Sequence, residues 1–197
     1  MDKPFSQACE NNKAPIFAHL GPLLADKTRV LEIGSGTGQH AVWFAPQLPH
    51  LVWQTSDVAE NHGAINAWLN AFPAANLLPP ITLDVSRSAW PTSSFDAVYS
   101  ANTVHIMAWP EVEIMFEKVA DMLPPFGLFC LYGPMMYHGQ HTSDSNQQFD
   151  LHLRATASYR GIREFHALNT LARNGGLVLV DDHPLPANNR LVVWQKA

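Results

Sequence analysis

The chain has 197 residues, of which 47% are hydrophobic and 15% are charged. So much apolar sequence with so little charge excludes a disordered chain, and the length predicts a single domain over residues 1–197. The formal net charge of -5 disfavours binding to long nucleic acid or to an anionic membrane surface.

Targeting and cysteine patterns exclude further classes. The first residues lead into polar sequence, and no apolar run approaches the ~20 residues needed to cross a bilayer. Cys9 and Cys130 have no C-x-x-C pattern around them, so no disulfide framework is expected. We therefore expect a soluble, non-secreted, cytoplasmic protein, and the sequence does not indicate its oligomeric state.

Short apolar strands alternate with helical patterns along the chain, separated by Pro and Gly. The predicted strands are residues 29–33, 51–55, 81–83, 95–100, 126–132, 177–181 and 191–194. The predicted helices are residues 12–24, 38–48, 65–72, 112–123, 146–157 and 165–171.

This alternation predicts an α/β fold with a mostly parallel sheet covered by helices on both faces. Such sheets bind ligands at the carboxyl ends of their strands. The helices over 12–24 and 146–157 do not fit the alternation. We expect them to lie as lids over that edge, within an N-terminal lid of residues 1–26 and an insertion of residues 133–161 that covers the acceptor pocket.

A glycine-rich turn, residues 34–38, lies where the first strand passes into a helix. Its glycines permit positive φ and let a ligand approach the bare backbone, which predicts a cofactor at this position. No lysine occurs between Lys27 and Lys118, so the turn lacks the lysine of a nucleoside triphosphate loop. Gln39 stands where a dinucleotide fingerprint requires Gly or Ala, which makes NAD the weaker alternative.

With Glu32 two positions before its first glycine, this G-x-G-x-G turn resembles the cofactor turn of class I S-adenosylmethionine-dependent methyltransferases. Asp57 ends the second strand, where it can accept both ribose hydroxyls, and Asp84 ends the third, where it can accept the adenine amino group. Either residue could instead cap a strand end or a helix start. The resemblance further implies that residues 34–38 pack against methionine and ribose, that the Val85 N–H meets adenine, and that Glu32 orients the loop or the methionine amine. The predicted cofactor-binding residues are Glu32, Gly34, Ser35, Gly36, Gly38, Asp57, Val58, Asp84, Val85 and Asn102.

Further stretches carry a narrower resemblance. They are Glu10-x-Asn12-Lys13-x-Pro15-Ile16, Val30-Leu31-Glu32-x-x-Ser35-Gly36-x-Gly38-Gln39-His40, Trp53-Gln54-x-Ser56-Asp57-Val58, Leu83-Asp84-Val85, Asn102-x-x-His105, Tyr132-Gly133-Pro134, Ser145-Asn146-x-x-Phe149-Asp150-x-x-Leu153-Arg154 and Pro186-Ala187-Asn188-Asn189. On these residues nearly the whole chain resembles the DUF938, or methyltransferase-like 26, family. That resemblance implies the Rossmann-like class I methyltransferase fold, with seven strands and an antiparallel final strand, and S-adenosyl-L-methionine as cofactor. Asn11, Thr55 and Arg160 depart from the family pattern.

Methyl transfer is an in-line displacement, so the protein must align nucleophile and methyl group and, for some acceptors, remove a proton. His105 follows the fourth strand, and an unperturbed pKa near 6.5 suits a base, so His105 and Asn102 are the candidate catalytic residues. Alternatively, His105 holds Asn102 or a loop carbonyl in place, and Asn102 caps a turn. The D/N-P-P-Y run of amino methyltransferases is absent at residues 100–103, which favours a small-molecule O-, S- or N-acceptor.

The acceptor pocket is expected in residues 132–159, which follow the fifth strand and interleave polar with aromatic residues. Asp150 and Arg154 could equally form an i,i+4 ion pair. His138-x-x-His141 has no convincing third ligand nearby, so no metal site is expected. The predicted substrate-binding residues are Asn12, Tyr132, Tyr137, Asn146, Phe149, Asp150, Arg154 and Asn189.

The sequence thus predicts methyl transfer from S-adenosylmethionine to an unidentified small molecule. Two alternatives stay open: a catalytically silent S-adenosylmethionine-binding module that regulates a partner, and a nicotinamide oxidoreductase.

Overall fold

The computed structural model describes residues 3–197, and the chain divides into two compact units, Met1–Ser100 and Ala101–Ala197. The helices are α1 Gln7–Leu23, α2 Gln39–Phe44, α3 His62–Ala71, α4 Trp109–Met122, α5 Asp144–Thr156 and α6 Phe165–Asn174. The strands are β1 Arg29–Ile33, β2 Val52–Asp57, β3 Leu77–Thr82, β4 Ala97–Ala101, β5 Leu128–Gly133, β6 Met135–Tyr137, β7 Gln140–His141, β8 Arg163–Glu164, β9 Leu177–Leu185 and β10 Asn189–Lys196.

The first unit is built around β1, which pairs in parallel with β2 on one side and with β4 on the other. β3 adds in parallel to the far edge of β2. Four of the five β1 residues are buried, as expected for a central parallel strand. Phe44 of α2, Trp53 of β2 and Tyr99 of β4 pack ring against ring, which gives this unit an aromatic core beside β1.

The second unit is built around β10, which pairs antiparallel with both β5 and β9. Its core centres on Phe116 of α4, Phe129 of β5 and Trp194 of β10, whose ring centroids lie 5.1 to 5.6 Å apart. A small sheet in the order β7-β6-β8 follows β5. β6 and β8 pair in parallel, so this short sheet links the segment after β5 to the start of α6.

The larger sheet has seven strands in the order β3-β2-β1-β4-β5-β10-β9. The strand pairs from β3 through β1 to β4 are parallel and both pairs of β10 are antiparallel, which confirms the predicted α/β, Rossmann-like architecture with its antiparallel final strand. The expectation of a single domain with two lids stays a prediction. No helix within residues 3–197 is long and apolar enough to cross a membrane.

Several element boundaries differ from those predicted. α1 begins five residues early, because the Ser6 side chain caps the helix by accepting the Cys9 N–H at 3.3 Å. β3 begins four residues early and contains Pro79 and Pro80, which an edge strand tolerates because one side needs no ladder hydrogen bonds. The predicted strands at 177–181 and 191–194 are longer in the structure, and the small sheet was not predicted at all.

Candidate functional site

The glycine turn between β1 and α2 needs glycine for two different reasons. At Gly36 the backbone has φ 59° and an added Cβ would meet no atom within 4 Å, so the turn presents bare backbone to open space. At Gly38 φ is 86° and an added Cβ would lie 3.2 Å from the Cα of Ile65 in α3. A side chain at Gly38 would therefore be strained and would push α3 away from the turn.

The turn is anchored to the end of β2. The backbone N–H groups of Gly34 and Ser35 both donate to the Ser56 carbonyl at 3.0 Å. The Ser56 hydroxyl in turn donates to the Glu32 carbonyl at 2.6 Å. These contacts hold the predicted cofactor turn rigidly beside Asp57.

Asp57 reaches from the end of β2 to the turn. Its Oδ2 accepts the Gly36 N–H at 2.7 Å, and its Oδ1 accepts the Val58 N–H and the Asn61 amide, both at 2.8 Å. A carboxylate has about four acceptor positions, so Oδ2 retains capacity for a further donor such as a ribose hydroxyl. Gly36 and Val58 are themselves predicted cofactor-binding residues, whereas Asn61 was not singled out from the sequence.

Glu32 is an acid at a position where a central strand is normally apolar. Its side chain is 2% exposed, and its Oε2 accepts the Ser35 hydroxyl at 2.9 Å and the Trp53 indole N–H at 3.1 Å. Burial raises the pKa of Glu32 from 4.5 to about 7, with a smaller contribution from the negative charge of Asp57. The Ser35 hydroxyl and the Trp53 indole N–H both donate to Oε2. Oε1 can therefore accept a hydrogen bond from a further donor, such as an ammonium or amide group.

The start of α1 is fastened to the residues that follow the glycine turn. Gln39 Oε1 accepts the Ser6 N–H at 2.5 Å, Gln39 Nε2 donates to the Ser6 carbonyl at 3.3 Å, and the Thr37 hydroxyl donates to the same Oε1 at 3.1 Å. Further along α1, Asn12 Oδ1 lies 2.7 Å from His40 Nε2. The predicted substrate residue Asn12 therefore takes part in docking α1, and the first turn of α1 lies against the glycine turn.

Asp84 and Val85 lie just beyond β3, which ends at Thr82 rather than at Asp84 as predicted. Asp84 Oδ1 accepts the backbone N–H and the hydroxyl of Ser86, both at 3.1 Å. The Val85 carbonyl accepts the Trp90 indole N–H at 3.1 Å. Asp84 thus caps the segment that follows the strand end, in line with the alternative of a strand-end cap, while its contact with adenine stays a prediction.

In the second unit, Asn102 directly follows β4 with a left-handed φ of 59°, which Asn adopts more readily than most residues. Its N–H donates to the Tyr132 carbonyl at 2.8 Å. A Cβ added to Gly133 would lie 3.6 Å from Asn102 Oδ1 and 3.8 Å from His105 Nδ1. The structure therefore brings the two candidate catalytic side chains to one place.

His105 is 4% exposed, and its Nδ1 has no hydrogen-bond partner. Its ring meets Phe149 of α5 edge to face, and its carbonyl accepts the Gly161 N–H at 2.9 Å. Burial, together with the positive charges of Arg163 and Arg160, lowers the pKa of His105 from 6.5 to about 4. The unperturbed pKa assumed from sequence therefore does not hold, and His105 is neutral at pH 7.

Asp150 and Arg154 form the i,i+4 ion pair that was one of the two sequence interpretations, with Nε 2.9 Å from Oδ2. Asp150 is also buried against the loop after α5, where its Oδ1 accepts the Ile162 N–H at 2.6 Å. His141 Nε2 lies 3.6 Å from the same carboxylate. Asp150 therefore ties α5 to its following loop, and a direct substrate contact stays a prediction.

The remaining predicted substrate residues join elements of the second unit. The Tyr137 hydroxyl donates to Asp182 Oδ2 at 2.8 Å, and Asn189 Nδ2 donates to the Tyr132 hydroxyl at 3.0 Å. Asn146 Nδ2 donates to the Asn188 carbonyl at 3.0 Å. Each of these side chains makes at least one hydrogen bond within the unit, so each helps to hold the unit's elements together.

No group of three or more His, Cys, Asp or Glu side chains within residues 3–197 is arranged to hold a metal ion. A cleft of about 260 Å³ lies beside α3 and β3 in the first unit. Its lining includes none of the predicted cofactor residues: Asn66, Leu69, Asn70, Pro73, Ala74, Leu77 and Pro79.

A family described as "Protein of unknown function (DUF938)" matches residues 3–196, nearly the whole chain. The chain belongs to the DUF938 family. The DUF938 chain also resembles solved structures. An O-methyltransferase family protein from Burkholderia thailandensis superposes with a TM-score of 0.85 at 15% identity, over 97% of this chain and 57% of that one.

Human N-acetylserotonin methyltransferase in complex with S-adenosylmethionine superposes with a TM-score of 0.81 at 14% identity, over 97% of the DUF938 chain and 53% of the human chain. Mitomycin 7-O-methyltransferase superposes with a TM-score of 0.84 at 14% identity, over 96% and 54% of the two chains. The DUF938 chain spans just over half the length of these proteins. At such identities the likeness concerns the fold.

Besides Asn61, sequence reasoning assigned no role to three residues that the structure places beside predicted site residues. Gln39 was considered as a mismatch to the dinucleotide fingerprint and as part of a matched stretch, and His40 only as part of that stretch. Arg163 was not singled out, although its guanidinium donates to the carbonyls of Val104 and Met107. No spacing rule could have indicated these contacts, because each joins residues far apart in sequence.

Proposed function

We propose that the DUF938 chain binds S-adenosylmethionine at the glycine turn of its first unit and transfers the methyl group to a small-molecule acceptor. The observation that carries this proposal is Asp57, whose Oδ2 accepts the Gly36 N–H at 2.7 Å and so lies against the backbone that a nucleoside would approach. The open space beside Gly36 fits a ligand there, because no atom lies within 4 Å of an added Cβ.

Within this proposal, Asp57 binds the ribose hydroxyls and Glu32 Oε1 binds the methionine amine. When bound, S-adenosylmethionine supplies a methyl group attached to a positively charged sulfur. The acceptor's nucleophile forms a bond to that methyl group, and the electrons of the broken sulfur–carbon bond stay on sulfur. Asp84 and Val85 are assigned to adenine. The other residues of this unit that we assign to cofactor binding are Gly34, Ser35, Gly38 and Val58.

The acceptor side of the reaction is assigned to the second unit. His105, neutral at pH 7, can accept a proton or a hydrogen bond, and Asn102 can orient the nucleophile. The structural neighbours named above support a small-molecule acceptor with a hydroxyl nucleophile, since two are named as O-methyltransferases and another as N-acetylserotonin methyltransferase. The matched stretches further support placing the chain in the methyltransferase-like 26 branch.

The first test is calorimetric titration with S-adenosylmethionine, S-adenosylhomocysteine and NADH in parallel, on protein checked by mass spectrometry for carried-over ligand. We expect micromolar binding of both sulfur ligands and none of NADH. Absence of both would overturn the cofactor assignment. Binding without methyl transfer to any of a broad set of phenols, thiols and amines would instead support the silent regulatory module.

A further inference from the structure

Positive charge is concentrated between the last turn of α5 and β8. Arg154, Arg160 and Arg163 fall within ten residues, in a chain whose formal net charge is -5. Among the described residues, the carboxylate of Asp150 is the one that pairs with any of them, through Arg154 Nε at 2.9 Å. Within residues 3–197, no carboxylate lies in ion-pair range of Arg160 or Arg163.

Arg163 is engaged by the backbone. Its Nε donates to the Val104 carbonyl at 2.9 Å, and its Nη2 donates to the carbonyls of Met107 and Tyr159 at 2.5 and 2.9 Å. Carbonyl oxygens satisfy the N–H groups but carry no net charge. Burial and, to a smaller extent, the charge of Arg154 lower the pKa of Arg163, while the negative charge of Asp150 acts in the opposite direction. Arg163 therefore holds the loop against the segment that carries His105 and adds positive potential there.

Arg160 differs, because its side chain makes no hydrogen bond to a carbonyl within the described residues. Its Nε is buried without a hydrogen-bond partner, and its guanidinium lies 5.9 Å from the Tyr159 ring centroid. A buried N–H without a partner costs free energy, so an arginine left in this state calls for an explanation. One explanation is ring contact alone, as for Arg29, whose Nε is also unpartnered and which lies over Phe95. The other is a ligand.

The surroundings distinguish these two cases. Arg29 has an acidic neighbour along its own backbone, since its N–H donates to Asp96 Oδ1 at 2.8 Å. Arg160 instead shares its locality with Arg163 and with His105, whose Nδ1 is a second buried atom without a partner. Excess positive charge beside unsatisfied polar atoms is the environment that an anion stabilises, and the planar guanidinium suits carboxylate or phosphate oxygens.

We propose, resting on the methyl-transfer function above, that the acceptor is an acidic small molecule whose carboxylate or phosphate group binds Arg160. The predicted pocket residue Phe149 packs on His105 and is 39% exposed, so an aromatic or aliphatic body next to the anion finds an apolar surface. Arg160 thereby becomes a specificity-determining residue.

The test uses full-length protein saturated with S-adenosylhomocysteine and titrated with benzoate, phenyl phosphate and benzamide. Calorimetry gives the affinities, and the Arg160 Nε–Hε resonance, assigned by its loss in Arg160→Gln, reports the location. We expect at least one of the two anions to bind at least about tenfold more tightly than neutral benzamide and to shift that resonance. Tighter binding of benzoate would indicate an acceptor with a carboxylate, and tighter binding of phenyl phosphate an acceptor with a phosphate group.

Three variants make the result specific. Arg160→Gln should remove the preference for the anion, and Arg160→Lys, which keeps the charge but loses the planar fork, should retain part of it. Arg173→Gln, at an exposed arginine of α6, should retain all of it. Near-ultraviolet circular dichroism and melting temperature check that each variant folds.

Equal affinity for acid and amide, no binding of any probe, or an anion preference that survives Arg160→Gln would overturn the proposal. Repeating the titrations without S-adenosylhomocysteine separates it from the proposed function. If S-adenosylhomocysteine itself does not bind, the methyl-transfer function fails, while an Arg160-dependent anion preference would still establish the anion site.

Discussion

Two buried carboxylates beside the glycine turn show how much a residue depends on its partners. The oxygens of Asp57 accept hydrogen bonds from two backbone N–H groups and one side-chain amide. These three donors stabilise the charged carboxylate although it is buried. Glu32 has two donors on one oxygen and is 2% exposed. The same carboxyl group is therefore suited to accept hydrogen bonds from ribose at Asp57, and it titrates near neutral pH at Glu32.

Replacing Asp57 with Ala should weaken S-adenosylhomocysteine binding by ~1.5–3 kcal/mol, the range for a hydrogen bond to a charged group. Calorimetry on folded protein measures the change. Glu60→Ala is the control, because Glu60 is an exposed acid shortly after Asp57 and our assignment gives it no contact with the cofactor. Unchanged affinity in folded Asp57→Ala would contradict the ribose assignment.

Glu32 should make stability depend on pH. Its folded-state pKa is raised from 4.5 to about 7, so the stability linked to its protonated form is present below about pH 4.5 and is lost as the pH rises to about 7. Between pH 5 and pH 8, the free energy of unfolding should therefore fall by about 2–3 kcal/mol more in the wild type than in Glu32→Gln. Urea unfolding at both pH values measures this difference. Glu60→Gln should follow the wild type, and parallel pH profiles for Glu32→Gln and the wild type would contradict the raised pKa.

His105→Ala should leave the affinity for S-adenosylhomocysteine unchanged but lower turnover, by about 10²- to 10⁴-fold if His105 acts as the base. Since the pKa of His105 is about 4, its titration should not produce an inflection in rate between pH 6 and 8. Production of S-adenosylhomocysteine with the first acceptor found by screening measures the rate. His152→Ala, at an exposed histidine of α5, is the matched control. Equal losses of affinity and turnover would make His105 structural.

At the scale of elements, α1 is fixed by polar contacts rather than by an amphipathic face alone. Gln39 meets both the N–H and the carbonyl of Ser6, and His40 meets Asn12 further along the helix. Burial, with a smaller contribution from the charge of Lys13, lowers the pKa of His40 to about 4, so the second contact does not change near neutral pH. The first turn of α1 should therefore stay on the glycine turn until these contacts break.

Gln39→Leu removes the hydrogen bonds to Ser6 and Thr37 while keeping most of the side-chain volume. At about 1 kcal/mol for each lost bond, amide hydrogen exchange in residues 6–9 should become at least about tenfold faster. The dissociation of S-adenosylhomocysteine should accelerate with it, which stopped-flow competition measures. Gln47→Leu, at an exposed glutamine that donates to the Trp43 carbonyl, is the control. Unchanged exchange would show that packing alone holds α1.

At the scale of the whole molecule, ligand binding and folding are linked. A ligand that binds only the folded state, at about one hundred times its Kd, adds about 2.7 kcal/mol to stability. For a chain of this size that corresponds to a rise in melting temperature of about 5–10 °C. We expect this rise with S-adenosylhomocysteine in the wild type, and a smaller one in Asp57→Ala at the same concentration. An equal rise with NADH would favour the nicotinamide alternative.

The order of the helices and of the strands of the larger sheet could be predicted from sequence, because apolar periodicity and the positions of Gly and Pro are local properties. The spacing of Gly34, Gly36 and Gly38 after β1 likewise predicted a turn, and the structure confirms their positive φ. Boundaries were less accurate, since a cap such as Ser6 or an edge position such as that of Pro79 depends on what lies beside the element.

The sequence by itself therefore determined the fold class and the place of the glycine turn and Asp57 in it. Only the tertiary structure decided that His105 and Glu32 have shifted pKa values, that Gln39 holds Ser6, and that the Tyr137 hydroxyl donates to Asp182. The physical reason is that desolvation, charge proximity and hydrogen-bond pairing depend on groups distant in sequence, which no local pattern records.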